Sequence, residues 1–210
     1  FSLANVWGRI MSDKPRCGAT ASAFSQDQAP PDTEIPNGTV WSTEYDPQAP
    51  EGTVGIVTEE MIWERFERFL KDLVPVAEEA NVRLAMHPAD PPLSTLRGTY
   101  RMVHKPEQYQ RLLDLVPSRC NVAEFCQGTI AEMDGDMDVY EAIAKYTAQG
   151  KISYVHFRNV VGSVPEYYET FIDDGDVDMV KALRLYHENG FDGVLIPDHT
   201  PQMACDAPWH

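Results

Sequence analysis

The sequence is poor in positive charge. It has 17 lysines and arginines against 33 aspartates and glutamates, a formal net charge of −16. Nucleic acids and anionic membrane surfaces are recognised by clustered Lys and Arg, so neither is expected as a partner. Long apolar runs are missing too; none approaches the roughly 20 residues that a membrane span needs. No basic segment followed by a long apolar core opens residues 1–10, so no secretory signal is read there. The four cysteines, Cys17, Cys120, Cys126 and Cys205, are scattered without a C-x-x-C pair. That spacing gives no disulfide framework, and free thiols in a reducing cytoplasm are the expectation. P-loop, G-x-G-x-x-G and G-x-S-x-G motifs are all absent, so the common phosphate loops and the nucleophile elbow have no sequence support.

What is present is a globular composition, 43% hydrophobic and 24% charged, in 210 residues. This suits one domain or part of a larger one. The chain opens on Phe1 rather than Met, and the expectation is a start further upstream. Residues 11–57 are rich in Pro, Gly, Asp and Ser, with segments such as "QDQAPPDTEIPNG" and "YDPQAPEG". They read as a long loop or insertion. Periodicity begins at Thr58, a good N-cap followed by Glu59 and Glu60. Ile62, Phe66, Phe69, Leu73, Val76 and Ala80 then mark one face of a long helix, with a kink expected at Pro75. Beyond it, strands alternate with helices. The strands are 82–87, 121–126, 152–157 and 193–199, with a fifth if "LANVWGRI" is one. The helices are "KPEQYQRLLDLV", with Pro106 at its first position, "DVYEAIAKYTAQG", stopped by Gly150, and "DVDMVKALRLYHENG", stopped by Gly190. Strand–helix alternation with nearly continuous apolar strands predicts a parallel α/β sheet covered on both faces.

The strand ends carry the chemistry. The first ends at His87, the second at Cys126, the third at His156, and the fourth reaches Asp198. Parallel strands bring these residues to one rim, and in a barrel that is the rim where active sites form. Singly, a His or Cys at a strand end is usually structural. Together, two imidazoles, a thiolate and a carboxylate suit a divalent metal, with two ligand charges matching M²⁺. Arg158 and Asn159 follow His156 directly. Arg158 is a candidate clamp for a substrate carboxylate, with a surface salt bridge as the plain alternative. His199, beside Asp198, is a candidate acid or base, with a supporting hydrogen bond as its alternative. Glu124 shares the inward face with Cys126, and a carboxylate placed there is expected to pair with a cation or reach the polar centre. His104 and His187 read as surface residues, and Trp63 and Tyr109 as ordinary packing.

At these strand ends the sequence resembles the mannonate dehydratase family, in the xylose-isomerase-like group of TIM (β/α)8 barrels. The text that carries the resemblance is "PVAEEANVRLAMHPADPP", "YQRLLDLVPSRCNVAEFCQGT", "YVHFRNV", "DGDVDM" and "GVLIPDH", in consistent order between residues 59 and 199. The resemblance implies a Mn²⁺ or Fe²⁺ ion held by His87, Cys126, His156 and Asp198, the same four residues that the strand ends suggest. It implies proton transfer by His199. It also implies dehydration of D-mannonate to 2-keto-3-deoxy-D-gluconate in hexuronate (glucuronate) catabolism, by a cytoplasmic lyase acting on a small sugar acid. The oligomeric state stays open, a homo-oligomer included.

Two departures sit beside the metal positions. The family commonly has C-T-G-S where this chain has "CQGT", and P-D-H-G-R where it has "PDHTPQ". The family's later catalytic tyrosine is expected beyond residue 210, and the front strands of a full barrel are not found. The expectation is therefore a single, incomplete TIM-barrel catalytic domain over residues 1–210, its C-terminal strands best represented. An aldose–ketose isomerase or epimerase on the same barrel, and a non-catalytic sugar-acid binder, remain as alternatives. A dehydratase calls for a carboxylate clamp facing the metal, whereas an isomerase does not.

Overall fold

A computed structural model describes residues 24–27, 42–45, 51, 54–198 and 200–201. The first helix, α1 (Glu59–Glu79), starts as its sequence predicts. The Thr58 hydroxyl accepts a hydrogen bond from Met61 N at 3.3 Å, and Glu59 and Glu60 occupy the positive end of the helix dipole. Pro75 lies inside the helix without ending it. The buried face is Ile62, Trp63, Phe66, Leu70, Val74 and Ala77, rotated from the predicted stripe. Phe69 and Leu73 are only partly buried, and Val76 is 57% exposed. Apolar residues cover a wide arc in the second half of α1, so spacing alone leaves two rows to choose from; the core takes the row through Leu70 and Val74.

Four parallel strands follow, namely β3 (Leu84–Met86), β6 (Asn121–Cys126), β7 (Ile152–His156) and β10 (Val194–Ile196). They lie side by side in chain order. Helices α2 (Gln108–Leu115), α4 (Val139–Ala148) and α5 (Met179–Glu188) connect them. Asp138 and Glu141 form a capping box on α4, and Asp178 caps α5 through Lys181 N at 2.9 Å. Gly150 and Gly190 follow α4 and α5 with φ of 65° and 84°, the left-handed stop their sequence predicts. Every residue of β6 is buried, as a strand covered on both faces must be. Tyr109 is fully buried, and its hydroxyl donates to Glu124 O at 2.8 Å with Met86 O also near at 3.2 Å, so the single proton is shared between β6 and β3. Among the described residues the parallel sheet stays open. Val194 and Ile196 on β10 are 62% and 36% exposed, which marks β10 as an uncovered edge.

A second, antiparallel sheet was not expected. It runs β1 (Phe24–Asp27), β2 (Ser42–Tyr45), β9 (Glu166–Thr170), β8 (Asn159–Ser163). The stretch read as a long loop thus contributes two strands, because β9 offers β2 an edge to pair with. A two-residue turn at Arg97 and Gly98, both at positive φ, joins the short strands β4 (Thr95–Leu96) and β5 (Thr99–Tyr100). A short helix, α3 (Gln127–Glu132), begins directly after Cys126. The segment "LANVWGRI", Cys17, Cys205 and His199 lie outside the described residues.

Candidate metal centre

Register brings the first pair of site residues together. Cys126 and His156 are the last residues of β6 and β7 and lie opposite each other across the parallel ladder. His87 follows the end of β3, and its ring centroid lies 5.3 Å from that of His156. One donor atom from each of His87, Cys126 and His156 lies within 4.8 Å of the others, compact enough for one ion to be shared. Asp198 comes two residues after β10, at φ 60°. Its Oδ2 is 3.2 Å from His156 Nδ1 and 3.6 Å from Arg158 Nε. Asp198 thus contacts His156, while the compact donor group itself consists of His87, Cys126 and His156.

The histidines are held in specific orientations. His87 Nδ1 lies 2.7 Å from Pro88 O. A carbonyl only accepts, so Nδ1 carries a proton, and Nε2 is the nitrogen left to face the centre. His156 Nε2 lies 3.0 Å from Glu124 Oε1, so the inward carboxylate reaches a ligand-type imidazole. The loop after His87 is fixed by Ala89 N donating to Val103 O at 3.0 Å and by Arg101 Nη2 donating to Asp90 O at 2.7 Å.

The electrostatics are those of an anionic centre. Burial pushes the Cys126 thiol up, but Arg158 and His87 outweigh it and hold the thiol well below its usual value. Burial would lower His87, yet Cys126, Asp90 and Glu124 raise it to about 9. Burial is likewise overcome at His156, where Asp198, Cys126 and Glu124 raise it to about 11. Two imidazoles hold protons because thiolate and carboxylates surround them; a divalent cation would meet the same demand. A thiolate, two imidazoles that would lose their extra protons on binding and a nearby carboxylate fit a transition-metal ion.

Arg158 and Asn159 do not match their expected role. Arg158 is 1% exposed, and all five of its N–H donors are used. Nε donates to Cys126 Sγ at 3.3 Å; Nη1 to Glu132 at 2.8 Å and Glu169 at 3.0 Å; Nη2 to Asp90 at 2.6 Å and Thr129 at 2.9 Å. No donor is left for a substrate carboxylate. Asn159 donates to Ile172 O and Val177 O and accepts from Val160 N and Val177 N. Its amide is spent on folding the segment between β8 and α5. His104 is also corrected. It is 7% exposed, with Nδ1 2.8 Å from Arg101 O, and burial lowers its pKa. His187 is exposed, as expected.

Asp90, Thr129, Glu132, Tyr167 and Glu169 belong to the site and were not foreseen. Tyr167 donates to Asp90 Oδ1 at 2.9 Å. Burial raises Glu132 well above the usual carboxylate range, against the pull of Arg158. The one signal for Asp90 was its place in the proline-locked loop after His87. For Tyr167 and Glu169 it was the β-rich text "EYYET" after "GSVP".

Residues 53–209 match the family described as D-mannonate dehydratase (UxuA). The chain belongs to the D-mannonate dehydratase family. It is 32% identical to mannonate dehydratase 2 of Halalkalibacterium halodurans over 165 residues, covering 76% of this chain and 47% of that protein. With the mannonate dehydratase of Lactococcus lactis subsp. cremoris it shares 35% identity over 148 residues, 68% of this chain and 41% of that one. The crystal structure of mannonate dehydratase from Streptococcus suis serotype 2 superposes with a TM-score of 0.67 at 32% identity, covering 72% of this chain and 44% of that one. The chain thus spans about half the length of the mannonate dehydratases it matches. Its open arc of β/α units has the fold of part of that structure, an incomplete TIM barrel.

Proposed function

We propose that this chain carries the metal centre of a hydro-lyase that converts D-mannonate to 2-keto-3-deoxy-D-gluconate in hexuronate (glucuronate) catabolism. The observation that carries the reading is the convergence of His87, Cys126 and His156 within 4.8 Å at the ends of consecutive parallel strands, in a chain of this family. Asp198 is the proposed fourth ligand. Mn²⁺ or Fe²⁺ is the proposed ion, the pair that the family resemblance implies. Such an ion supplies Lewis acidity toward a sugar acid's carboxylate and neighbouring hydroxyl. The protein's part is to present ligands and move protons. Glu124 orients His156. His199 is proposed to exchange the proton at the substrate's reacting carbon or departing hydroxyl. Residues 1–210 are taken as part of one barrel catalytic domain. Free thiols at Cys120 and Cys126 suit a cytoplasmic enzyme.

The test is an assay of the intact, metal-loaded protein on a panel of aldonic acids, detecting 2-keto-3-deoxy products. D-Mannonate should be consumed with one product molecule per substrate. Absence of product from D-mannonate, with metal bound, would contradict the proposal.

A further inference from the structure

We propose that Arg158 is a positioning residue for the metal centre, and that the β8–β9 hairpin, through Tyr167 and Glu169, is part of the apparatus that holds the ligands in place. The inference rests on the reading of His87, Cys126 and His156 as ligands, and goes beyond it to residues that would touch neither metal nor substrate.

Arg158 joins segments that carry different ligands. Its Nε meets Cys126 Sγ, and its Nη2 meets Asp90, three residues after His87. One guanidinium therefore spans the loop after β3 and the turn after β6. Thr129 strengthens the same link, donating both to Asp90 Oδ2 at 3.0 Å and to Cys126 Sγ at 3.1 Å; its single proton alternates between them while Arg158 donates to its oxygen. The hairpin closes the arrangement from the other side. Glu169 accepts from Arg158 Nη1, and Tyr167 holds the second oxygen of Asp90. A guanidinium is planar and rigid, so five satisfied donors fix its partners relative to one another.

The local sequence makes room for this side chain. Gly128 is helical, yet a Cβ there would lie 2.6 Å from Arg158 Cγ and 2.9 Å from Nε. Its lack of a side chain is explained by the passage of Arg158 over the first turn of α3.

A buried ion cluster with only a structural role would affect folding and leave the metal alone. The two roles separate in cobalt(II) titrations of the intact protein, followed by the sulfur-to-cobalt charge-transfer absorption and by chelator competition. Three variants differ in severity. Tyr167→Phe removes one hydroxyl, Gly128→Ala displaces Arg158, and Arg158→Lys keeps the charge with fewer donors. Tyr167→Phe and Gly128→Ala should fold and bind cobalt about tenfold more weakly, the usual scale for partners that orient metal ligands. Arg158→Lys should bind more weakly still, with a shifted charge-transfer band. If Arg158→Lys does not fold, the other two decide. Wild-type affinity and an unshifted band in the folded variants would overturn the proposal. Mannonate plays no part in this experiment. A wild type that binds cobalt through sulfur but leaves mannonate unchanged would end the dehydratase reading and leave this one standing on the variants' affinities.

Discussion

Glu124 Oε1 lies 3.0 Å from His156 Nε2, across neighbouring parallel strands. His156 Nδ1 faces Asp198 at 3.2 Å. A carboxylate that accepts a hydrogen bond from one imidazole nitrogen fixes the ring, so that the other nitrogen could face a metal once its proton is displaced. Glu124→Gln keeps the shape and removes the charge. It should weaken metal binding about tenfold. Chelator competition gives the affinity; no change there would mean that Glu124 only fills space.

Protons and metal compete for the same histidines. Without metal, His87 is raised to about 9 and His156 to about 11. A raised folded-state pKa stabilises the apo fold below the unfolded value of about 6.5 and loses that contribution as pH rises through 9 and then 11. Metal binding must displace these protons, so apparent affinity should rise from pH 6.5 toward pH 9, with proton release on binding. Calorimetry in buffers of different ionisation enthalpy measures that release. A pH-independent affinity over this window would contradict the charged histidines.

The rotated face of α1 can be tested by stability. Leu70 is fully buried and Val76 is 57% exposed. Leu70→Ala should cost about 2–5 kcal/mol, and Val76→Ala within about 0.5 kcal/mol, read by denaturant melts. Equal losses would restore the stripe read from spacing alone.

His199→Ala should abolish turnover and retain metal, since the proposed ligand set is complete without it. The loss expected is about 10²- to 10⁴-fold in kcat. Metal analysis alongside steady-state kinetics separates the outcomes: loss of metal would make His199 a ligand or a support, and near-normal kcat would move the proton to another group.

The legible features were local ones. Asn121–Cys126 is the strand its continuous apolar run predicts, Thr58 starts α1, and Gly150 and Gly190 follow α4 and α5. His87, Cys126 and His156 were legible because parallel strands carry their last residues to one rim. The role of Arg158 was not legible. Its partners Asp90, Glu132 and Glu169 are 68, 26 and 11 residues away, and no periodicity encodes contacts between a loop, a short helix and a hairpin. The β8–β9 hairpin was hidden for a related reason. "NVVGSVPEYYET" lies where strand–helix alternation predicts a simple connection; its two strands pair with each other locally, and β9 also pairs with a strand more than a hundred residues earlier.

The central claim is that His87, Cys126, His156 and Asp198 share one ion. Anomalous diffraction at the manganese edge, from crystals of the intact protein grown with Mn²⁺, tests it most directly. The account predicts a single strong peak within about 2.0–2.4 Å of a His87 nitrogen, the Cys126 sulfur, a His156 nitrogen and an Asp198 oxygen, allowing for the longer metal–sulfur bond. A manganese peak elsewhere, or a filled site from which Cys126 Sγ has turned away, would contradict it.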